Sequence, residues 1–145
     1  MNDLIKTMET LKIYTDGAAR GNPGPGASAF LFVHNNKIIH QGVNFIGTVT
    51  NNQAEYQAII NALKAVRQFQ TRHIQIYSDS NLVIQQINRK WKINVPHLQK
   101  LNNQVSQLKQ NFEKVEFLYV RRNNPYIQKC DALCNEKLDS EGIRI

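Results

Sequence analysis

The hydrophobic pattern of the chain changes rhythm near residue 50. Before that point, residues 11–19, 26–34 and 37–45 are rich in β-forming side chains and are divided by Gly/Pro positions or by Asn35-Asn36, which predicts an antiparallel meander. After it, Ala58, Ile59, Ala62, Leu63, Val66 and Phe69 recur at helical spacing behind the capping side chains of Thr50 to Asn52, so a helix is predicted over 52–69. Residues 73–78 then read as a short strand and 80–91 as a helix with Val83, Ile84, Ile87 and Trp91 on one side. Residues 96–112 form a further predicted helix, 115–120 the last strand, and about 126–138 the final helix. Three strands followed by alternating helices and strands indicate an α/β domain, a mixed sheet with helices on its faces. No repeat, low-complexity tract or linker interrupts it.

Composition narrows the class. A chain of 145 residues buries an adequate core as one domain without disulfides or a structural metal. Residues 1–10 read as a polar leader, 11–139 as the domain, and 140–145 as a polar, loose tail. The formal net charge of +7 favours a polyanionic partner, although small basic proteins also bind nucleic acid without specificity. Cys130 and Cys134 lie four apart on a predicted helix, where side chains run parallel and do not reach disulfide geometry, so both read as reduced core residues. No Cys/His cluster has zinc spacing, no apolar run approaches the roughly 20 residues of a membrane span, and the N-terminus lacks a secretory apolar region. These features point to a cytoplasmic protein.

Four acids occupy unusual places. Asp16 ends an apolar strand beside Ile13 and Tyr14 and precedes the glycine-rich run from Gly17 to Gly26. A carboxylate partly desolvated there needs a positive partner or takes up a proton. Glu55 belongs to the helical stripe of Ile59, Ala62 and Val66 and so points toward the sheet; alternatively, it sits in a first helical turn, where the helix dipole favours an acid. Asp79 lies between a strand and a helix, where ligand-binding groups collect in such sheets and where N-caps also occur. Asp131 shares a stripe with Ile127, Cys134 and Leu138, facing apolar neighbours, with a buried pair to Arg121 or Arg122 as the alternative. If the four converge, their mutual repulsion calls for divalent cations, and oxygen-only donors favour Mg²⁺ or Mn²⁺. Two such ions about 3.5–4 Å apart suit phosphodiester cleavage, so a metal-dependent nuclease is the natural reading.

The motifs around these acids are specific. Asp16-Gly17 with Gly21-Asn22-Pro23-Gly24-Pro25-Gly26, Thr50-Asn51-Asn52-Gln53-Ala54-Glu55, Ser78-Asp79-Ser80 and Cys130-Asp131-Ala132-Leu133 resemble, in order, the motifs of the type 1 ribonuclease H family, over about Leu11 to Leu138. The resemblance implies a ribonuclease H-like fold: a five-stranded mixed sheet, with an antiparallel three-strand meander plus two parallel strands and helices on both faces. It also implies an endoribonuclease that cleaves the RNA strand of RNA–DNA hybrids, leaving 5′-phosphate and 3′-hydroxyl ends, with two Mg²⁺ or Mn²⁺ ions per site. Asp16 and Asp79 would hold both ions, Glu55 would also contact the RNA 2′-hydroxyl, and Asp131 would complete the second ion's shell. The 2′-hydroxyl, donor and acceptor at once, is what marks the strand to be cut.

For substrate binding, the same resemblance implicates Gly17 and, for sugar and base-edge contacts, Asn22, Asn51 and Asn52, whose amides supply donors and acceptors. Local turn chemistry is the competing explanation for these asparagines. Thr50 and Asn94 resemble the pocket for a DNA phosphate, and Asn81 is a weaker candidate of that kind. Many relatives carry a basic, aromatic-bearing protrusion after the third motif, but here Arg89-Lys90-Trp91-Lys92 leads almost directly to Asn94-Val95-Pro96. Trp91 and Lys92 are candidates to replace it by stacking and phosphate contact, against Trp91 as a core residue of its helix. Weaker and more salt-sensitive hybrid binding is then expected.

Two more departures stand out. No histidine occurs in Arg121-Arg122-Asn123-Asn124-Pro125-Tyr126, where many relatives place a mobile one, so turnover is expected to be slower, with Arg122 or Asn124 as candidates for a loop role. Thr48 stands where some relatives have an arginine in the DNA-phosphate pocket, which would loosen the demand for a DNA strand. Two rivals follow: a nuclease of the same fold that also cuts double-stranded RNA, and a non-catalytic hybrid-binding module. Retention of all four acids argues against the second. A monomer without membrane association, binding through its catalytic face alone, completes the expectation.

Overall fold

A computed structural model of the protein describes residues 10–69 and 71–143. The predicted leader lies outside the described residues except for Thr10, as do the last two residues of the predicted tail. The elements are β1 (Thr10–Ala19), β2 (Gly24–His34), β3 (Lys37–Val49), α1 (Asn51–Val66) with a 3₁₀ turn (Arg67–Phe69), β4 (His73–Ser78), α2 (Asn81–Ile87), α3 (Pro96–Lys109), β5 (Lys114–Tyr119) and α4 (Pro125–Ser140). They form the expected five-stranded mixed sheet, in the order β3-β2-β1-β4-β5. β1 pairs antiparallel with β2, opposing Lys12 to Val33, and parallel with β4, opposing Ile13 to Ile76. Among the described residues no helix is long and apolar enough to cross a membrane.

Alternation along β1 builds two cores. Leu11 and Ile13 join Phe30, Phe32, Ile74 and Ile76 beneath the apolar stripe of α1 (Ile59, Leu63, Val66), with α2 and α3 packed outside. Tyr14 joins Leu31, Val33 and the α4 residues Ile127, Cys130 and Cys134 on the opposite side. Both cysteines are free and buried, as expected, and burial raises the pKa of each thiol. Asn35 and Asn36 both take positive φ (50° and 60°), the geometry a two-residue hairpin turn requires.

Helix α1 gives way to the 3₁₀ turn after Val66 and α3 stops at Lys109 rather than 112, and three larger differences from the sequence reading follow. β3 runs on to Val49, because register shifts at Gly26/Ala27 and Phe32/Val33 let it keep pairing with β2 as far as Gly24. α2 stops at Ile87: Asn88 caps it, Arg89 turns to φ 62°, and the N–H groups of Lys90 and Trp91 both donate to the carbonyl of Gln85. Trp91 therefore leaves the helix and is 47% exposed, which removes the core-residue alternative. The third difference is the tail. α4 continues to Ser140, Gly142 takes φ 77°, and the N–H groups of Gly142 and Ile143 donate to the carbonyls of Asp139 and Leu138, a helix stop whose Ile143 packs on the same cluster as Leu138.

Candidate metal centre

The topology brings three of the four acids together. β1 and β4 are parallel neighbours, so Asp16 near the end of β1 and Asp79 just beyond β4 stand on one edge of the sheet. The start of α1 crosses that edge. Its N-terminus is held by a capping box, in which the Thr50 hydroxyl accepts from the Gln53 N–H and the Gln53 side chain accepts from the Thr50 N–H. Asn51 Oδ1 accepts from the Ala19 N–H, and Asn22 Oδ1 accepts from the Asn51 N–H, tying the helix to β1 and its glycine-rich turn. Glu55 Oε1 then accepts from the Gly17 N–H at 2.7 Å.

Gly17 is required by contact: a Cβ there would run into the Ala54 carbonyl and the backbone nitrogen of Glu55. Gly17→Ala is expected to push α1 off β1, costing about 1–3 kcal/mol of stability as overpacking does. Thermal unfolding of the variant, measured beside its Mn²⁺ affinity, checks both the cost and the displacement of Glu55.

One oxygen from each of Asp16, Glu55 and Asp79 lies within 4.8 Å of the others. Asp16 is 6% exposed. Its burial and the nearby Asp79 carboxylate push its pKa up to about 7, against a lowering hydrogen bond from Glu55. Burial first, then Asp16 and Asp79, hold the Glu55 carboxyl well above the usual carboxylate range. The one cation beside the cluster among the described residues is Arg122, whose Nε lies 3.6 Å from Asp79 Oδ2. Its side chain is 93% exposed, so the pair is solvent-screened and contributes little.

Asp131 departs from expectation. It is exposed rather than turned toward apolar neighbours, and it stands outside the tight group of three while lining the same open cleft of about 480 Å³. Neither arginine pairs with it; its contact is a hydrogen bond from Asn135 Nδ2 at 3.4 Å, and Arg122 is turned to Asp79 instead. The apolar stripe of α4 is narrower than the spacing implied, because Cys130, Leu133 and Cys134 already fill the seam beneath β1 and β2.

The substrate candidates do not form one surface. Gly17 and Asn51 line the cleft with the acids. The side-chain oxygens of Asn22, Asn51 and Thr50 serve the local turn and cap, whereas Asn52 is exposed and its side chain makes no hydrogen bond among the described residues. Asn81 is exposed and accepts from Gln85 on its own helix at 3.2 Å. Trp91 and Lys92 line a second cleft of about 580 Å³ together with α3, and Asn94 is exposed and outside its lining.

Two side chains escaped the sequence reading. Gln128 lines the acid cleft, and its place three residues before Asp131 on the same helix was the available signal. Arg20 links the glycine-rich turn to α4: its guanidinium donates to Asp139 Oδ1 at 2.7 Å and to the Ile143 carbonyl. No pattern in the chain announced that contact across more than a hundred residues.

Comparison with known proteins places this arrangement. A family model described as reverse transcriptase-like matches residues 14–136. The chain is 39% identical over 127 residues to the ribonuclease HI of Halobacterium salinarum, covering 87% of this chain and 63% of that protein. It is 37% identical over 142 residues to the ribonuclease H of Ehrlichia chaffeensis, covering 87% of this chain and 92% of that one. The chain thus spans less than two thirds of the Halobacterium relative, and 35% of mycobacterial relatives that it matches at 33% identity. A solved structure of LC11-RNase H1 in complex with an RNA/DNA hybrid superposes with a TM-score of 0.86 at 29% identity, over 92% of this chain and 99% of that one. With the sheet order, the acidic edge and 37% identity over 92% of the Ehrlichia protein in agreement, the chain belongs to the ribonuclease H family.

Proposed function

We propose that the protein is an endoribonuclease that hydrolyses the RNA strand of RNA–DNA hybrids, using two Mg²⁺ or Mn²⁺ ions and leaving 5′-phosphate and 3′-hydroxyl ends. The observation that carries this reading is the convergence of Asp16, Glu55 and Asp79 within 4.8 Å at the mouth of an open cleft. The solved relative bound to an RNA/DNA hybrid supports the substrate class.

The donor set fits hard divalent cations. Three carboxylates crowd together, two of them with raised pKa values, and positive charge beside them is limited, among the described residues, to one exposed arginine. Asp16, Glu55 and Asp79 would hold the ions, with Asp131 joining from α4. Bound ions would neutralise the cluster, lower the pKa of a coordinated water and stabilise charge on the phosphate. The chain's own residues supply the rest. The Gly17 N–H orients Glu55, Asn52 offers a free amide to the minor groove, and Trp91 and Lys92 extend the basic surface that holds the DNA strand.

The deciding experiment is cleavage of a labelled RNA–DNA hybrid beside matched RNA and DNA duplexes in Mg²⁺, Mn²⁺ and EDTA, with Asp79→Asn as control. Metal-dependent, hybrid-selective cutting that Asp79→Asn abolishes is the expected result. Equal cutting of duplex RNA would move the protein to a relaxed-selectivity nuclease, and binding without cutting would make it a recognition module. Because Asp131 is exposed and stands apart from the group of three, Asp131→Asn is expected to slow cleavage by only ~10–100-fold, as loss of a peripheral metal-site partner does. Single-turnover rates of the two variants measured side by side test that ranking.

A further inference from the structure

Tyr56 follows Glu55 on α1 and is fully buried. Its hydroxyl donates to Gln86 Oε1 of α2 at 2.8 Å and accepts from Asn102 Nδ2 of α3 at 3.3 Å. Among the described residues these are the only side-chain hydrogen bonds joining α1 to α2 or α3. Every other polar anchor of the helix start, from Thr50, Asn51 and Glu55, is internal or runs to β1 and its turn. Glu55 is therefore held from the sheet side by its own carboxylate and from the helix side by its neighbour's phenol. Gln86 and Asn102 also line the second cleft beside Trp91 and Lys92, so the two hydrogen bonds of Tyr56 tie the residue next to Glu55 to the walls of that basic surface.

Packing does not require this hydroxyl. A phenyl ring would fill the same space; what loss of the hydroxyl costs in stability is the partner of the buried Gln86 amide oxygen and of the Asn102 amide. What such a satisfied network does supply is a single geometry. We propose that Tyr56 is a positioning residue: its hydroxyl, clamped between Gln86 and Asn102, fixes the turn of α1 that carries Glu55 at the distance from Asp16 and Asp79 needed to hold a divalent cation. This deepens the proposed function and rests on it.

The test is Tyr56→Phe in the full chain, read by Mn²⁺ titration calorimetry without nucleic acid, by the Mn²⁺-induced rise in Tm, and by kcat and KM on the hybrid. Mn²⁺ affinity is expected to fall by roughly two- to tenfold, the ratio that loss of one neutral hydrogen bond corresponds to. kcat should fall with it while KM for the hybrid stays put, and excess Mn²⁺ should restore part of the rate. A merely structural hydroxyl would lower Tm and leave the Mn²⁺ affinity of the folded protein unchanged, and that outcome overturns the proposal. Asn102→Leu, altering a half-buried side chain on α3, provides a second variant if Tyr56→Phe folds poorly; it should weaken Mn²⁺ binding in the same direction, and unchanged binding would again overturn the proposal. Wild-type protein that neither binds Mn²⁺ nor cuts hybrid would instead remove the functional reading itself.

Discussion

Asp16→Asn is expected to reduce hybrid cleavage by about a thousandfold or more while leaving the fold intact and hybrid binding largely preserved. Asp16 is the most solvent-shielded member of the acid group, and it lies in the second half of β1, whose earlier residues Ile13 and Tyr14 pack into opposite cores. Its backbone is fixed by pairing with Ala29, so an isosteric amide would occupy the same place. What the amide lacks is charge. A bound cation contributes several kcal/mol of charge stabilisation, and about 4 kcal/mol corresponds to roughly three orders of magnitude in rate. Single-turnover cleavage, with hybrid affinity measured in parallel, checks both halves of the expectation. An Asp16→Asn protein that retained wild-type rates would withdraw Asp16 from the site.

The same substitution is expected to stabilise the metal-free protein at alkaline pH. The Asp16 carboxyl titrates near its ordinary 3.8 when unfolded but near 7 when folded, driven first by burial and then by Asp79. Between those values the folded state holds more protons than the unfolded one, so stability falls as pH rises from about 4 to about 7 and levels off above. Glu55, also shifted upward by burial and by its neighbours, acts in the same direction. The loss from Asp16 alone is of order a few kcal/mol. Urea unfolding of the protein in EDTA at pH 5 and pH 8 should therefore show lower stability at pH 8, and Asp16→Asn should remove much of that difference. Mg²⁺ or Mn²⁺ at pH 8 should recover stability, because a ligand that binds only the folded state raises its population. Equal stability at both pH values would mean that the cluster is better solvated than its burial indicates.

These two expectations use one arrangement in opposite ways. The crowding that makes the acids useful to a cation makes them a liability without one, and the described surroundings do little to relieve it. Among the described residues Arg122 is the cation paired with the cluster, and it is nearly all in solvent. The capping box at Thr50, the Asn22–Asn51 and Asn51–Ala19 hydrogen bonds and the close approach allowed by Gly17 hold α1 where Glu55 must meet Asp16 in spite of their repulsion.

Much of this was readable in the chain. The period-two segments, the Asn35-Asn36 turn and the stripe of α1 follow from local rules, because residues near in sequence meet whatever the rest of the molecule does. The motif residues around Asp16, Glu55, Asp79 and Asp131 identified which acids to compare, and the order of elements suggested that all four converge on one edge of the sheet, where the structure groups the first three. Decisions that depend on distant partners were not readable. Trp91 continued the pattern of its helix, but Asn88 turns to the Phe117 carbonyl of β5 and the chain leaves the helix before Trp91 is reached. Asp131 shared an apolar stripe, yet the width of the seam under β1 and β2, filled by Cys130, Leu133 and Cys134, left it in solvent. The tail read as loose because its anchors, Arg20 and the cluster around Leu138, lie elsewhere in space. Sequence alone determined which residues could build the sheet and the acidic site, since periodicity and motif spacing are local properties. Tertiary structure decided how close the acids stand and which of them are desolvated, since distance and burial are set by every element that packs around them.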